Sequence, residues 1–128
     1  MPGSLGTPWA RKMEGQWLYG LLTGPEHVNP NGVIHGGVLM AFADHGLSLL
    51  AWEAAERVPC TTIQLNTHFL DAIRPGEFIE LRGEVVRRTR GMVFVRGIIS
   101  AHHADPHHED KARDVGAVDG IWRVLRSR

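Results

Sequence analysis

Cysteine is nearly absent: the 128-residue chain has one, Cys60. A single thiol excludes an intrachain disulfide and any paired-cysteine zinc or redox motif, and a reducing compartment is its simplest setting. Net charge is absent too, with 14 Lys and Arg against 14 Asp and Glu. Binding to nucleic acid through phosphate neutralisation needs a basic excess, as does a polybasic membrane anchor; neither is expected. Long apolar runs are missing. The longest, from Val38 to Trp52, is broken by Asp44, His45 and Ser48 and is too short and polar to span a bilayer. The first fifteen residues contain no apolar run of signal-peptide type. The expectation is a soluble cytoplasmic protein. With no net charge to keep copies apart, self-association is easy. No repeat or linker divides the chain, so residues 1–128 are expected to form one domain.

What is present is a core's worth of apolar residues, 43% of the chain. Residues 1–14 read as a loose lead-in and Trp17 to Leu22 as a short strand. Thr23 to Gly32 is turn chemistry throughout, a long loop of the kind that is more often functional than idle. Gly36 to about Arg57 reads as a helix, apolar nearly all round for four turns and therefore buried. Pro59 blocks its continuation. The periodicity then changes to two. In Thr62 to Phe69, the residues Ile63, Leu65 and Phe69 share one face, and Thr62, Gln64, Asn66 and His68 the other. Strands are expected at Phe78–Arg88, Met92–Ala101 and Val115–Leu125, the first two joined by a tight hairpin at Thr89-Arg90-Gly91. The order is strand, helix, four strands, an α+β pattern with an antiparallel sheet. Gly83, Gly97, Gly116 and Gly120 lie inside strands, where glycine serves bends or close approaches. A curved sheet wrapped round one helix accounts for them. Its other face would meet water unless a second copy covered it, so a dimer is expected.

The chemistry concentrates in Asn29-Pro30-Asn31-Gly32-Val33-Ile34-His35-Gly36-Gly37, with Asp44 eight residues beyond Gly36. The amides that open a helix have no intrahelical acceptor, and the macrodipole is positive there. Two glycines let a ligand approach that backbone closely. Gly36 and Gly37 are thus candidate oxyanion donors for a carbonyl turning tetrahedral, with Asn29 and His35 as side-chain donors beside them. Each also has a plain structural reading, as a helix start, a hinge or a turn brace. Asp44 lies two turns into an apolar helix, a costly place for a carboxylate unless it is paired or reactive. Ser48 shares its face at i+4. Eight residues place Asp44 about 12 Å along the axis from Gly36, too far for one chain to use both on one carbonyl. An antiparallel pair of helices would bring Asp44 of one chain to Gly36 of the other, giving two symmetric sites.

Asn-x5-His-Gly-Gly followed by Ala-Asp at this spacing resembles the hotdog-fold acyl-CoA thioesterases, in the phenylacetate-pathway and 4-hydroxybenzoyl-CoA branch, over about Trp17 to Leu125. The resemblance implies a curved antiparallel sheet around one central helix. It implies Asp44 as nucleophile or general base, Gly36 and possibly Gly37 as oxyanion donors, and Asn29 and His35 as positioning groups. Thr62 stands where relatives carry a Ser or Thr near the site. No metal and no cofactor are implied beyond the coenzyme A of the substrate. The implied assembly is a homodimer, or a dimer of dimers. Coenzyme A carries phosphates, and Arg87, Arg88 and Arg90 crowd one hairpin end, where they fit phosphate oxygens or equally a solvated edge.

Two other readings stand beside hydrolysis. One is a non-catalytic acyl-CoA-binding module, kept open by His45 beside the carboxylate and by the short stretch before Trp17. The other is an acyl-thioester hydratase or dehydratase, less suited because such enzymes pair their carboxylate and histidine in a different motif. His102, His103, Asp105, His107, His108, Glu109 and Asp110 match no compact zinc spacing. Cys60 lacks an evident His or Asn partner set for nucleophilic work. Met40, Phe42, Leu47 and Trp52 suit an acyl pocket or a core equally.

Overall fold

The computed structural model describes residues 6–105, 107–108 and 111–126. Six antiparallel strands form one sheet in the order β1-β2-β4-β5-β6-β3. They are β1 (Trp9–Met13), β2 (Gln16–Leu22), β3 (Cys60–Phe69), β4 (Glu77–Arg88), β5 (Met92–His103) and β6 (Arg113–Val124). One helix, α1 (Gly36–Ala54), lies against the sheet and packs on β2, β3, β4, β5 and β6. This is the expected α+β architecture, corrected first in its lead-in. The lead-in contains a strand, because Glu14 and Gly15 both take positive φ and turn the chain tightly back onto β2.

The core is the layer between helix and sheet. Val38, Phe42, Leu47 and Ala51 of α1 meet Ile79, Leu81, Val93, Val95, Ile99, Val115 and Trp122 of the sheet, all fully buried or nearly so. Phe42 and Leu47 are therefore core. Close approach of helix to sheet depends on glycine. A Cβ on Gly83 of β4 would sit 2.4 Å from Leu50 Cδ1 of the helix. The helix is buried on one side only, not all round: Met40 is 43% exposed and His45 is exposed. It also stops at Ala54 rather than at Arg57. Glu56 and Arg57 turn left-handed (φ 57° and 65°), so the α pattern ends five residues before Pro59.

Strict alternation in β3 is broken by a register shift between Thr62 and Gln64. A bulge inserts one residue and flips the side-chain parity beyond it. Thr62 and Leu65, expected on opposite faces, both turn toward the interior, while Ile63 is 48% exposed. Among the described residues, no helix is long and apolar enough to cross a membrane.

Candidate active site

The long loop before α1 is held by its own backbone and by Asn29. The Asn29 Oδ1 accepts from the amides of Asn31 (2.9 Å) and Val33 (3.3 Å), and the Asn29 and Val33 backbones pair as well. Its carbonyl oxygen thus braces the turn, which leaves only the Nδ2 amide as a donor. The His35 amide bonds to His27 O and the Ile34 amide to Ile73 O, so the motif is tied on both sides. His35 is the N-cap of α1, and its Nδ1 accepts from the Gly37 amide at 2.9 Å. In the neutral ring the proton is then on Nε2, which is left as a donor. Gly37 is thereby engaged by the cap and is not a spare oxyanion donor. The Gly36 amide, by contrast, has no hydrogen-bond partner among the described residues.

Gly36 lies on the wall of a cavity of about 330 Å³ lined also by Ile34, Leu39, Phe69, Leu70, Asp71, Ala72 and Ile73. The Phe69 ring is so close that a Cβ on Gly36 would lie 3.2 Å from it. Phe69 and Leu70 are more than half exposed. The side chains lining the cavity are apolar except for Asp71. Arg113 holds this cavity's loop in place. It makes a fork-on-fork pair with Glu77 (2.6 and 2.9 Å) and also bonds Asp71 Oδ2 (2.9 Å) and Ala72 O (2.6 Å). The Arg113 hydrogen bonds to Glu77, aided by the Arg74 amide on Oε1, hold the Glu77 carboxyl below its ordinary value, against the opposing effect of burial. The sequence carried no sign of this role for Arg113, and none for Phe69 or Leu70 beyond their being apolar.

Asp44 is half-buried on the side of α1 that the sheet leaves open. Thr62 Oγ1 donates to its Oδ1 at 2.7 Å, and Ser48 Oγ reaches the same atom at 3.4 Å. The bulge in β3 is what aims Thr62 at the carboxylate. The structure thus brings together Asp44, Thr62 and Ser48, and separately His35, Gly36 and Asn29. Within one chain the two groups stay two helical turns apart, as the spacing requires.

The three arginines part company. Arg88 Nη1 donates to the Ala54 carbonyl at 2.8 Å and so caps the C-terminus of α1. Arg87 and Arg90 are exposed. Cys60 donates to main-chain carbonyls of Val58 and Ala51, and burial raises its thiol pKa although Arg88 opposes this, so it is a poor nucleophile. Of the histidine-rich loop, Glu109 and Asp110 lie outside the described residues. His103 and His108 stack at 3.9 Å, and among the described residues no three His, Cys, Asp or Glu side chains converge on a metal-sized site.

Comparison with known proteins gives the following. A family model described as the thioesterase superfamily matches residues 31–103. A Pseudomonas aeruginosa protein described as a candidate esterase is 30% identical over 80 residues, 62% of this chain; the match spans only 60% of that relative's length. Among solved structures, a hexameric broad-specificity acyl-coenzyme A thioesterase superposes with a TM-score of 0.77 at 19% identity, covering 84% of this chain and 77% of the other. A thioesterase-like protein of Ralstonia eutropha, described as related to phenylacetic acid degradation, superposes with a TM-score of 0.75 at 23% identity, covering 91% and 84%.

Proposed function

Because the chain belongs to the thioesterase superfamily, we propose that it hydrolyses an acyl-CoA thioester to the free acid and coenzyme A at a site shared by two protomers. The observation that carries this reading is the Asp44 carboxylate, half-buried on an open helix face and held through one oxygen by Thr62 at 2.7 Å. The thioester carbonyl accepts from the Gly36 amide of one protomer, at the positive end of the helix dipole. Asp44 of the facing protomer attacks the carbonyl carbon, or takes a proton from a water that attacks it. The thiolate of coenzyme A leaves in either case. Asn29 Nδ2 and His35 Nε2 are the side-chain donors that orient the thioester. Arg87 and Arg90, not Arg88, are the cations at hand for phosphate.

The pairing is supported by the open face of α1, where Met40 and His45 are exposed and Asp44 is half-buried, and by the distance between Gly36 and Asp44. A two-fold pair is the smallest assembly that completes the site, and a hexamer such as that of the acyl-CoA thioesterase above can contain such pairs. An aromatic acyl group fits both the branch resemblance and the Phe69-lined cavity.

Thiol release from a panel of aromatic and aliphatic acyl-CoAs tests the reading. Asp44→Asn is expected to lower kcat at least about 1,000-fold while acyl-CoA still binds. Full activity in this variant would sink the assignment. Tight binding with no turnover of any thioester by the native protein would identify a binding module instead.

A further inference from the structure

Behind Asp44 and Thr62 lies a pair of polar groups that this chemistry does not use. Trp122, on β6, is fully buried, and a buried indole N–H needs an acceptor. Its Nε1 donates to Ser48 Oγ at 2.8 Å. Ser48 stands one turn beyond Asp44 on the same side of α1. A hydroxyl has one proton and two lone pairs. With the indole N–H on its oxygen, Ser48 has two acceptors for its own proton, Asp44 Oδ1 at 3.4 Å and Thr62 Oγ1 at 3.5 Å. Thr62 in turn gives its proton to that same Oδ1 at 2.7 Å. Both routes end on one carboxylate oxygen.

We propose that Trp122 and Ser48 are positioning residues for hydrolysis, a relay anchored in the core that holds Asp44 Oδ1 and leaves Oδ2 as the reacting atom. The inference rests on Asp44 being the reacting carboxylate. The physical reason lies in the side chain. Rotation of a carboxylate about its last bond is broad and two-fold, so nothing intrinsic to aspartate selects the oxygen that faces the substrate. Directing the nearby donors to one oxygen makes that selection before substrate arrives. Among the described residues, no hydrogen bond reaches Oδ2. Trp122 is suited to anchor the relay because its ring is locked in the core between α1 and the sheet, whereas Ser48 and Thr62 sit nearer the open face.

A purely structural role, in which Ser48 merely satisfies the indole, would lower stability and leave turnover intact. Steady-state hydrolysis of an acyl-CoA that the native protein turns over, with thermal unfolding measured in parallel, separates the two. Ser48→Ala is expected to lower kcat about tenfold with KM changed less than about twofold, since a hydrogen bond to a charged group is lost without loss of binding surface. Ser48→Thr, which keeps the hydroxyl, is expected to restore most of kcat. Adding Trp122→Phe to Ser48→Ala is expected to lower kcat no further, because both cut the same chain. Should Trp122→Phe fail to fold, the two Ser48 variants alone decide the matter. Native kcat in Ser48→Ala, or a loss that Ser48→Thr does not restore, overturns the relay. Asp44→Asn measured alongside separates the two levels. If it is inactive while Ser48→Ala is fully active, the relay alone fails. If Asp44→Asn is itself active, the reading of the carboxylate fails and takes the relay with it.

Discussion

A single carbonyl separates the roles of three neighbouring arginines. Arg87, Arg88 and Arg90 are one cluster in the sequence, yet only Arg88 reaches the end of α1, where its Nη1 holds the Ala54 carbonyl. That bond satisfies one of the orphan acceptors every helix leaves at its C-terminus and places a cation at the negative end of the dipole. Arg88→Ala is therefore expected to destabilise the fold by about 1 kcal/mol with KM for acyl-CoA unchanged. Arg90→Ala is expected to do the opposite, raising KM about threefold with little effect on the unfolding temperature. Unfolding curves and steady-state kinetics on the same two variants check both statements. At this scale the sequence was partly legible. Asp44 was conspicuous because a carboxylate within an apolar helix needs a reason. The partners of the Asn29 side chain and of the Gly37 amide were not legible, because a side chain two residues from an amide forms a cap or an open donor set depending on torsions that residue identity leaves free.

Elements were read more reliably than their ends. Hydrophobic spacing marked α1 and five strands, but β1 escaped. Its five residues are all exposed, so they show no buried-face alternation, and they are held to β2 by main-chain bonds that any residue but proline can make. The bulge in β3 was hidden for a related reason. Alternation continues on both sides of it, and only the count of residues opposite Trp122 and Ile121 shows that Ile63 is extra. The segment between β3 and β4 is set by Arg113, which lies far from it in sequence. The Glu77 carboxyl ordinarily titrates near 4.5 and is held lower in the folded chain, mainly by its hydrogen bonds from Arg113. Below that ordinary value the unfolded chain takes up the proton first, so the stability from this pair is complete above it and is lost as the pH falls. The unfolding temperature of the native protein is expected to drop more steeply from about pH 5 to pH 3 than that of Glu77→Gln, which cannot titrate there. Parallel slopes would show that the pair contributes nothing.

For the whole molecule the governing fact is the separation of Gly36 from Asp44. If one site draws on both, two inactive variants should rescue each other. Asp44→Asn removes the carboxylate. Gly36→Pro removes the amide at the first helical position, where proline is favoured, and His35 before it is already extended (φ −61°, ψ 134°) as proline requires. Each variant alone is expected to be nearly inactive. After unfolding and refolding together in equal amounts, about one quarter of native activity is expected, since half of the pairs are mixed and each mixed pair holds one intact site of two. No recovery, with mixed pairs demonstrated by mass, would place the complete site within one chain.

The division between what the chain spells out and what folding adds follows from the range of each signal. Composition excluded an intrachain disulfide, paired-cysteine metal motifs and binding driven by net charge, and periodicity separated the helix from the strands; both are read without knowing which distant residues meet. Helical rise converts the eight residues from Gly36 to Asp44 directly into distance, while the pointer to acyl-thioester chemistry came from the resemblance of the motif to the hotdog-fold thioesterases. Tertiary structure decided what depends on residues far apart in sequence. It joined Thr62 to Asp44 across a bulge, Trp122 to Ser48 through the core, Arg113 to the loop beside Gly36, and Arg88 to the helix end. A hydrogen bond forms only where two directed groups meet within about 3 Å, and such meetings are settled by the packing of the sheet around the helix.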